Sequence, residues 1–311
     1  MDNYSIAVFK NDNLQEEKSI KNAFLKMIKK FRGHDKPNWF QKVELCDGLI
    51  INLIKIPYSI EKYRSLNLKK REKVLRGAME IGCANGVKYS ILPFASEGDM
   101  GGENFYKRTY SGQILYRALL TSIINKICTT KKLDASSIDI TIIHGNDKRE
   151  LMSVVKLLSS FIKFITIITR DECIKKDTEE IYYETGTSIV VSGDYSNALK
   201  RSDIVINMGD IEEFKCFLRE KSIILNYGRT ADVYKKVWVI NDIKVSLPPS
   251  ITSNLDESLL EMYKVNELAE IFILSKAGLI NIGDGEKCDL DFINKVESVF
   301  KKDGYTLEGF E

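Results

Sequence analysis

Apolar positions along the chain switch between two periods, and the switching predicts strands alternating with helices. YSIAVFK (4–10) reads as a strand, and residues 15–32 put Ile20, Phe24, Ile28 and Phe31 on one helical face. QKVELCDGLIINLIKI (41–56) reads as two strands joined through Asp47-Gly48, a dipeptide suited to a tight hairpin. Residues 66–82 read as a helix and KYSILPF (88–94) as a short strand. A long helical stretch, about 104–130, follows with Ile114, Leu115, Leu119, Leu120, Ile123, Ile124 and Ile127. The polar run KKLDASS (131–137) ends it and marks a domain boundary.

From residue 138 the alternation becomes regular. IDITIIH, KFITIIT (163–169), TSIVVSG, DIVINMG, SIILNYG (222–228) and KKVWVIN (235–241) read as six strands. The segments between them, DKRELMSVVKLLSSF, TEEIYYETG (178–186), DYSNALKRS and IEEFKCFLRE (211–220), read as helices. Strands apolar on both faces belong to a parallel sheet covered by helices, so the expected fold is α/β: a doubly wound, Rossmann-like sheet with a smaller N-terminal α/β domain. Pro248-Pro249 closes this unit, 256–277 reads as a long returning helix, and DLDFINKVESVFKKDGY (289–305) as one surface helix. The expected domains are 1–134 with a spine helix, 135–282 of nucleotide-binding type, and a helical tail at 283–311. In such an arrangement a substrate would sit in the cleft between the domains.

Charge narrows the partners. Lys and Arg number 46 against 44 Asp and Glu, a formal charge of +2, so no global attraction for nucleic acid or anionic lipid is expected. The N-terminus lacks the apolar core of a secretory signal and no apolar run is long enough for a bilayer, so a cytoplasmic protein is expected. The six cysteines form no C-x-x-C pair, and several fall in apolar segments as buried reduced thiols do. With His34 and His144 the two histidines, neither a zinc site nor Ser-His or Cys-His machinery is expected. Glu97, Asp99 and Glu103 lie in a glycine-rich acidic loop, SEGDMGGEN (96–104), which reads as a mobile surface loop or a substrate lid; no metal is expected there.

ITIIHGNDKREL (140–151) is the segment closest to a cofactor loop. A dinucleotide loop uses three glycines to turn sharply, approach the pyrophosphate and pack helix on sheet; Gly145 alone is present. Gly145, Asn146 and Lys148 would line such a phosphate site, at a helix N-terminus with free N–H groups. Asp171, 26 residues beyond Gly145, stands where an acid meets an adenosine ribose, and Arg170 beside it would instead favour a 2′-phosphate. The competing reading is a capping box, with Asp147 accepting from the backbone near Glu150 and Glu150 reaching back to Asp147. The site therefore holds NAD or NADP, or is closed to both.

Loops after the later strands add candidates: Ser192, Asn207 and Gly209 for a cofactor, and Arg229, after Gly228, for a substrate carboxylate or phosphate. Asp194 and Asp210 are plausible helix caps. His144 is a candidate catalytic acid or a strand-end histidine bonded to backbone, and Lys88 and Asp99 are further acid–base candidates.

The order of segments resembles the shikimate dehydrogenase and glutamyl-tRNA reductase group of two-domain oxidoreductases. ILPFASEGD, DIVINMGD, SIILNYGR and VSLPPSI also resemble the dipicolinate synthase A subunit. The resemblance implies NAD(P)-linked reduction of a small polar or carboxylated metabolite. It carries over Gly145 and, loosely, Asp171; the second and third glycines, the Lys/Asp pair of shikimate dehydrogenases and the nucleophilic Cys of the reductases have no counterpart. A non-catalytic binding or assembly protein of the same fold is the alternative, and a methyltransferase on the same sheet a third. A homodimer is a fair expectation for such folds.

Overall fold

The computed structural model describes residues 4–9, 39–92, 107–108, 110–135, 137–228, 237–280 and 289–311. The helix expected at 15–32, the acidic loop with Glu97, Asp99 and Glu103, and Arg229 lie outside them. The chain divides into two compact units, Met1–Gly112 with Leu247–Asp284, and Gln113–Ser246 with Gly285–Glu311.

In the first unit five strands, β1 (Tyr4–Phe9), β2 (Phe40–Cys46), β3 (Leu49–Ile56), β4 (Tyr89–Ile91) and β5 (Lys107–Arg108), form a sheet in the order β2-β3-β1-β4-β5. The hairpin read at Asp47-Gly48 is present: β2 and β3 pair antiparallel, and Gly48 takes a φ of +78° that a side chain would resist. β1 pairs parallel with both β3 and β4 and is buried along its whole length, as a central strand should be. The helix Leu68–Ala84 is capped by Asn67, which accepts from the Lys70 N–H, and buries Val74, Leu75 and Ala78 with Ala7, Ile54 and Ile56.

The stretch read as one helix over 256–277 is two, Glu257–Met262 and Val265–Lys276, broken at Tyr263, whose backbone is extended. The break has a tertiary cause. The buried Tyr263 hydroxyl reaches the carbonyls of Ala7 (2.9 Å) and Ile91 (3.2 Å), and Glu267 restarts the helix by accepting from the Lys264 N–H.

The second unit carries the six-stranded parallel sheet: β6 (Asp139–Ile143), β7 (Phe164–Ile168), β8 (Ser188–Ser192), β9 (Ile204–Asn207), β10 (Ile223–Asn226) and β11 (Trp238–Ile240). Their order is β11-β10-β9-β6-β7-β8, so the chain runs outward from β6 to one edge, returns, and runs outward to the other. This is the doubly wound Rossmann order, with its switch point between β6 and β9. The fold expected from sequence is therefore the fold observed.

Three further elements differ from expectation. The helix read over 104–130 begins at Gln113 and is interrupted at Leu119, while Lys107 and Arg108 pair with β4. Residues 211–217 form a 3-10 helix. The last segment holds a helix, Leu290–Lys302, and then a strand, β13 (Thr306–Phe310), antiparallel to β12 (Ile243–Ser246). Cysteines also depart from the expected burial: Cys128 is buried, but Cys83, Cys173 and Cys216 are exposed. Among the described residues no helix is long and apolar enough to cross a membrane.

Replacing Tyr263 with Phe removes the donor shared by two buried strand carbonyls. The expected loss is about 1–2 kcal/mol, read from the urea midpoint.

Candidate functional site

The loops leaving β6, β9 and β10 meet at the switch point, and they meet through their backbones. A Cβ added to Gly145 would lie 2.1 Å from the Met208 carbonyl oxygen, one on Gly209 would lie 2.6 Å from the His144 oxygen, and one on Gly228 would lie 2.1 Å from the Gly209 oxygen. These glycines serve as the seam that lets three turns close on each other. The Met208 N–H donates to Ile143 O at 3.0 Å, continuing the β6–β9 ladder into this seam.

Beneath it runs a ladder of strand-end amides. The Gly209 N–H donates to Asn207 Oδ1 (3.2 Å), Asn207 Nδ2 to Asn226 Oδ1 (2.7 Å), and Asn226 Nδ2 to Asn241 Oδ1 (2.8 Å). Asn207, a candidate cofactor residue, is fully buried and engaged at both ends of its amide. The ladder follows from register: Asn207 and Asn226 are direct partners, and Leu225 pairs with Ile240, the residue before Asn241.

The helix Gln113–Ala118 lies over the same strand ends. Tyr116 donates to Ile240 O (2.7 Å) and Gln113 Nε2 to Asn241 O (3.2 Å), and the Tyr116 and Tyr227 rings meet edge to face at 4.7 Å. Burial pushes the Tyr116 hydroxyl far above its ordinary value, so it stays a neutral donor. Arg117 ties the first turn of the helix Lys148–Ser159 to the loop after β10, with Nη1 on Glu150 Oε1 (2.9 Å) and Nη2 on Tyr227 O (3.0 Å). Arg117 and Asn241 escaped the sequence reading; the only signal for Arg117 is a cation inside a helix otherwise read as apolar.

At the start of the helix Lys148–Ser159, Asp147 Oδ1 accepts from the N–H groups of Arg149 (2.8 Å) and Glu150 (3.3 Å). The first half of the expected capping box is formed. The second half is not: the Glu150 carboxylate turns to Arg117, because a fixed cation outbids a neutral backbone N–H.

The other candidates gather at the tips of β6 and β7. His144 Nδ1 lies 2.9 Å from Thr169 Oγ1, and that hydroxyl accepts from the Asp171 N–H (3.0 Å), while His144 Nε2 is buried without a hydrogen-bond partner. Burial holds the His144 pKa below its ordinary value, opposed by the negative charges of Asp171 and Asp147 and assisted by Lys148. Asp171 Oδ1 accepts from the Cys173 N–H (2.9 Å), so the acid expected at a ribose is held in a local turn just before the next helix. Lys148 Nζ pairs with Asp177 at 2.6 Å, which raises its pKa. Asn146 and Arg170 are exposed beside them.

The remaining candidates stand apart. Ser192 ends β8, and its hydroxyl accepts from the Asp194 N–H (2.9 Å) while Asp194 caps the helix Tyr195–Arg201. Lys88, in the first unit, is exposed at the start of β4, the end opposite to where strand-end loops carry ligands. A small apolar pocket in that unit, with room for about one water molecule and lined by Trp39, Ile54, Ile56, Val74 and Ala78, has Lys55 as its charged residue, and Lys55 is paired with Asp256 at 3.0 Å. Among the described residues no group of three or more His, Cys, Asp or Glu is placed to hold a metal.

No protein-family model matches the chain, and no curated protein matches it. Solved structures similar to it include shikimate 5-dehydrogenase from Listeria monocytogenes, solved with shikimate and NAD, at 11% identity over 95% of this chain and 96% of that one, TM-score 0.29. L-tryptophan dehydrogenase from Nostoc punctiforme is 13% identical over 96% and 80%, TM-score 0.32. Aspartate transcarbamoylase from Trypanosoma cruzi is 12% identical over 76% and 73%, TM-score 0.29. Their chemistries differ, and likeness at this level assigns none of them to this chain.

Gly145→Ala is expected to cost about 2 kcal/mol or more, because main chain must yield, whereas Gly193→Ala, with open space around the added carbon, should stay within about 0.5 kcal/mol. His144 gives a pH test. Its folded pKa lies below the unfolded 6.5, so the unfolded chain protonates first and stability falls as pH drops through that value. Urea midpoints between pH 7.5 and 5.5 should fall less in His144→Gln than in the wild type.

Proposed function

We propose that this chain is a binding or assembly protein built on the two-domain fold of NAD(P)-linked oxidoreductases, with its own Asp147 seated where a dinucleotide pyrophosphate would bind. The observation that carries the reading is Asp147 Oδ1 accepting from the Arg149 and Glu150 N–H groups. A pyrophosphate would need those donors, and it would meet a carboxylate at close range, at a cost of about 1–4 kcal/mol at 4 Å between water-like and partly screened surroundings. Loss of the cap adds about 1 kcal/mol. The seam at Gly145, where backbone fills the space beside the loop, supports the same reading.

A second reading keeps the cofactor: an NAD(P)-dependent oxidoreductase acting on a small polar or carboxylated metabolite. Asp171 favours it, since it follows the second strand of the Rossmann order, where a ribose hydroxyl is held, and hydrogen-bonds through one carboxylate oxygen, Oδ1. Arg170 and Lys148 beside it would contribute phosphate contacts.

Titration with NADH and NADPH, followed by fluorescence and thermal shift, separates the two. The first reading expects neither to bind at millimolar concentration. A Kd below about 0.1 mM for either, lost in Asp171→Ala, would overturn it and establish the second.

A further inference from the structure

We propose that the chain forms a symmetric dimer through β8, whose open edge pairs antiparallel with β8 of a second copy to join two six-stranded sheets. This stands whether or not a nucleotide binds. Among the described residues β8 is the terminal strand of the sheet order, and it pairs with β7 in unbroken register from Phe164↔Ser188 to Ile168↔Ser192. The Ser188 N–H donates to Lys163 O (2.9 Å) and Ser192 O accepts from the Thr169 N–H (3.2 Å). By the alternation of a parallel ladder, Ile189 and Val191 turn their N–H and C=O groups to the open side.

Edge strands are normally blunted by a charge, a proline or a bulge. Ser188-Ile189-Val190-Val191-Ser192 has none of these. Val190 is 53% exposed and Phe164 51% exposed, and register places both on one face of the sheet. The helix Tyr195–Arg201 covers that face nearer the strand ends, where Leu199 packs with Ile143 and Ile168, and leaves Phe164 and Val190 open. Tyr182 and Tyr183, 52% and 84% exposed, add aromatic surface on the helix that leads into β8.

The strand itself identifies the occupant. Its sequence reads nearly the same in both directions, so a twofold axis through Val190 sets Ser188 against the second copy's Ser192 and Ile189 against the second copy's Val191. Polar then meets polar and apolar meets apolar, as an isologous interface requires. Ile189 and Val191 are also the residues whose main-chain groups face outward, so each of the two symmetric pairs exchanges two hydrogen bonds.

Sedimentation of the full chain from about 1 to 100 µM should show a dimer with a Kd near the micromolar range. Val190→Lys sets two ammonium groups across the axis and should weaken it by roughly 100-fold, as should Val190→Glu with two carboxylates. Mixing the two variants should restore dimers that contain one of each, which damage to the fold would not allow. A wild type that is monomeric at 100 µM would mean that the edge takes a strand of a different protein, or none, and overturns the proposal. So does a dimer indifferent to Val190→Lys, or a mixture that stays monomeric.

Discussion

At the ends of β6, β9 and β10 main chain rests on main chain, and the rest of the second unit is arranged around that contact. Three carbonyl oxygens occupy the space where side chains of residues 145, 209 and 228 would begin. Such an approach is open to glycine alone, and it draws the strand-end loops of the switch point together. The asparagine ladder then has a fixed frame on which to form, since Asn207, Asn226 and Asn241 stand at matching heights across neighbouring strands. The ladder satisfies polar groups that would otherwise be buried unpaired beneath the seam.

Charge at the mouth is balanced locally. Asp147 takes two N–H donors of the first helical turn, Glu150 one turn on is held by Arg117, and Arg117 spends its second nitrogen on the Tyr227 carbonyl. Each acid near the positive end of that helix is thus already compensated, and the helix N-terminus offers less to an outside anion than its place in the fold suggests. The adjoining corner is less settled. His144 keeps one ring nitrogen buried and unpartnered, in the field of Asp147 and Asp171, which is an arrangement with electrostatic energy still to be gained.

The two ends of this sheet's chemistry contrast. Its central strand-end loops rest on one another through main chain, while among the described residues its β8 edge pairs with β7 alone and leaves Val190 exposed. The exposed strand is also nearly self-complementary in sequence, Ser188-Ile189-Val190-Val191-Ser192.

Much of the architecture was legible from residues alone. Strand periodicity, the Asp47-Gly48 hairpin, Gly186 ending its helix in a left-handed turn and Asp194 as a cap all follow from local steric and hydrogen-bonding rules, which act within a few residues. Asp147 was legible as a cap for the same reason. Its partner was not: Glu150 had two possible donors, and only the folded arrangement brought Arg117, distant in sequence, within 2.9 Å. The break at Tyr263 was hidden likewise, because helical periodicity continues through it and the cause lies in carbonyls of β1 and β4. So too with Gly145, whose sequence context suggests ligand approach while its Cα faces the Met208 carbonyl. Local pattern determined which elements form and in what order; tertiary structure decided which groups satisfy one another, since burial and long-range pairing set the energy of a buried polar atom.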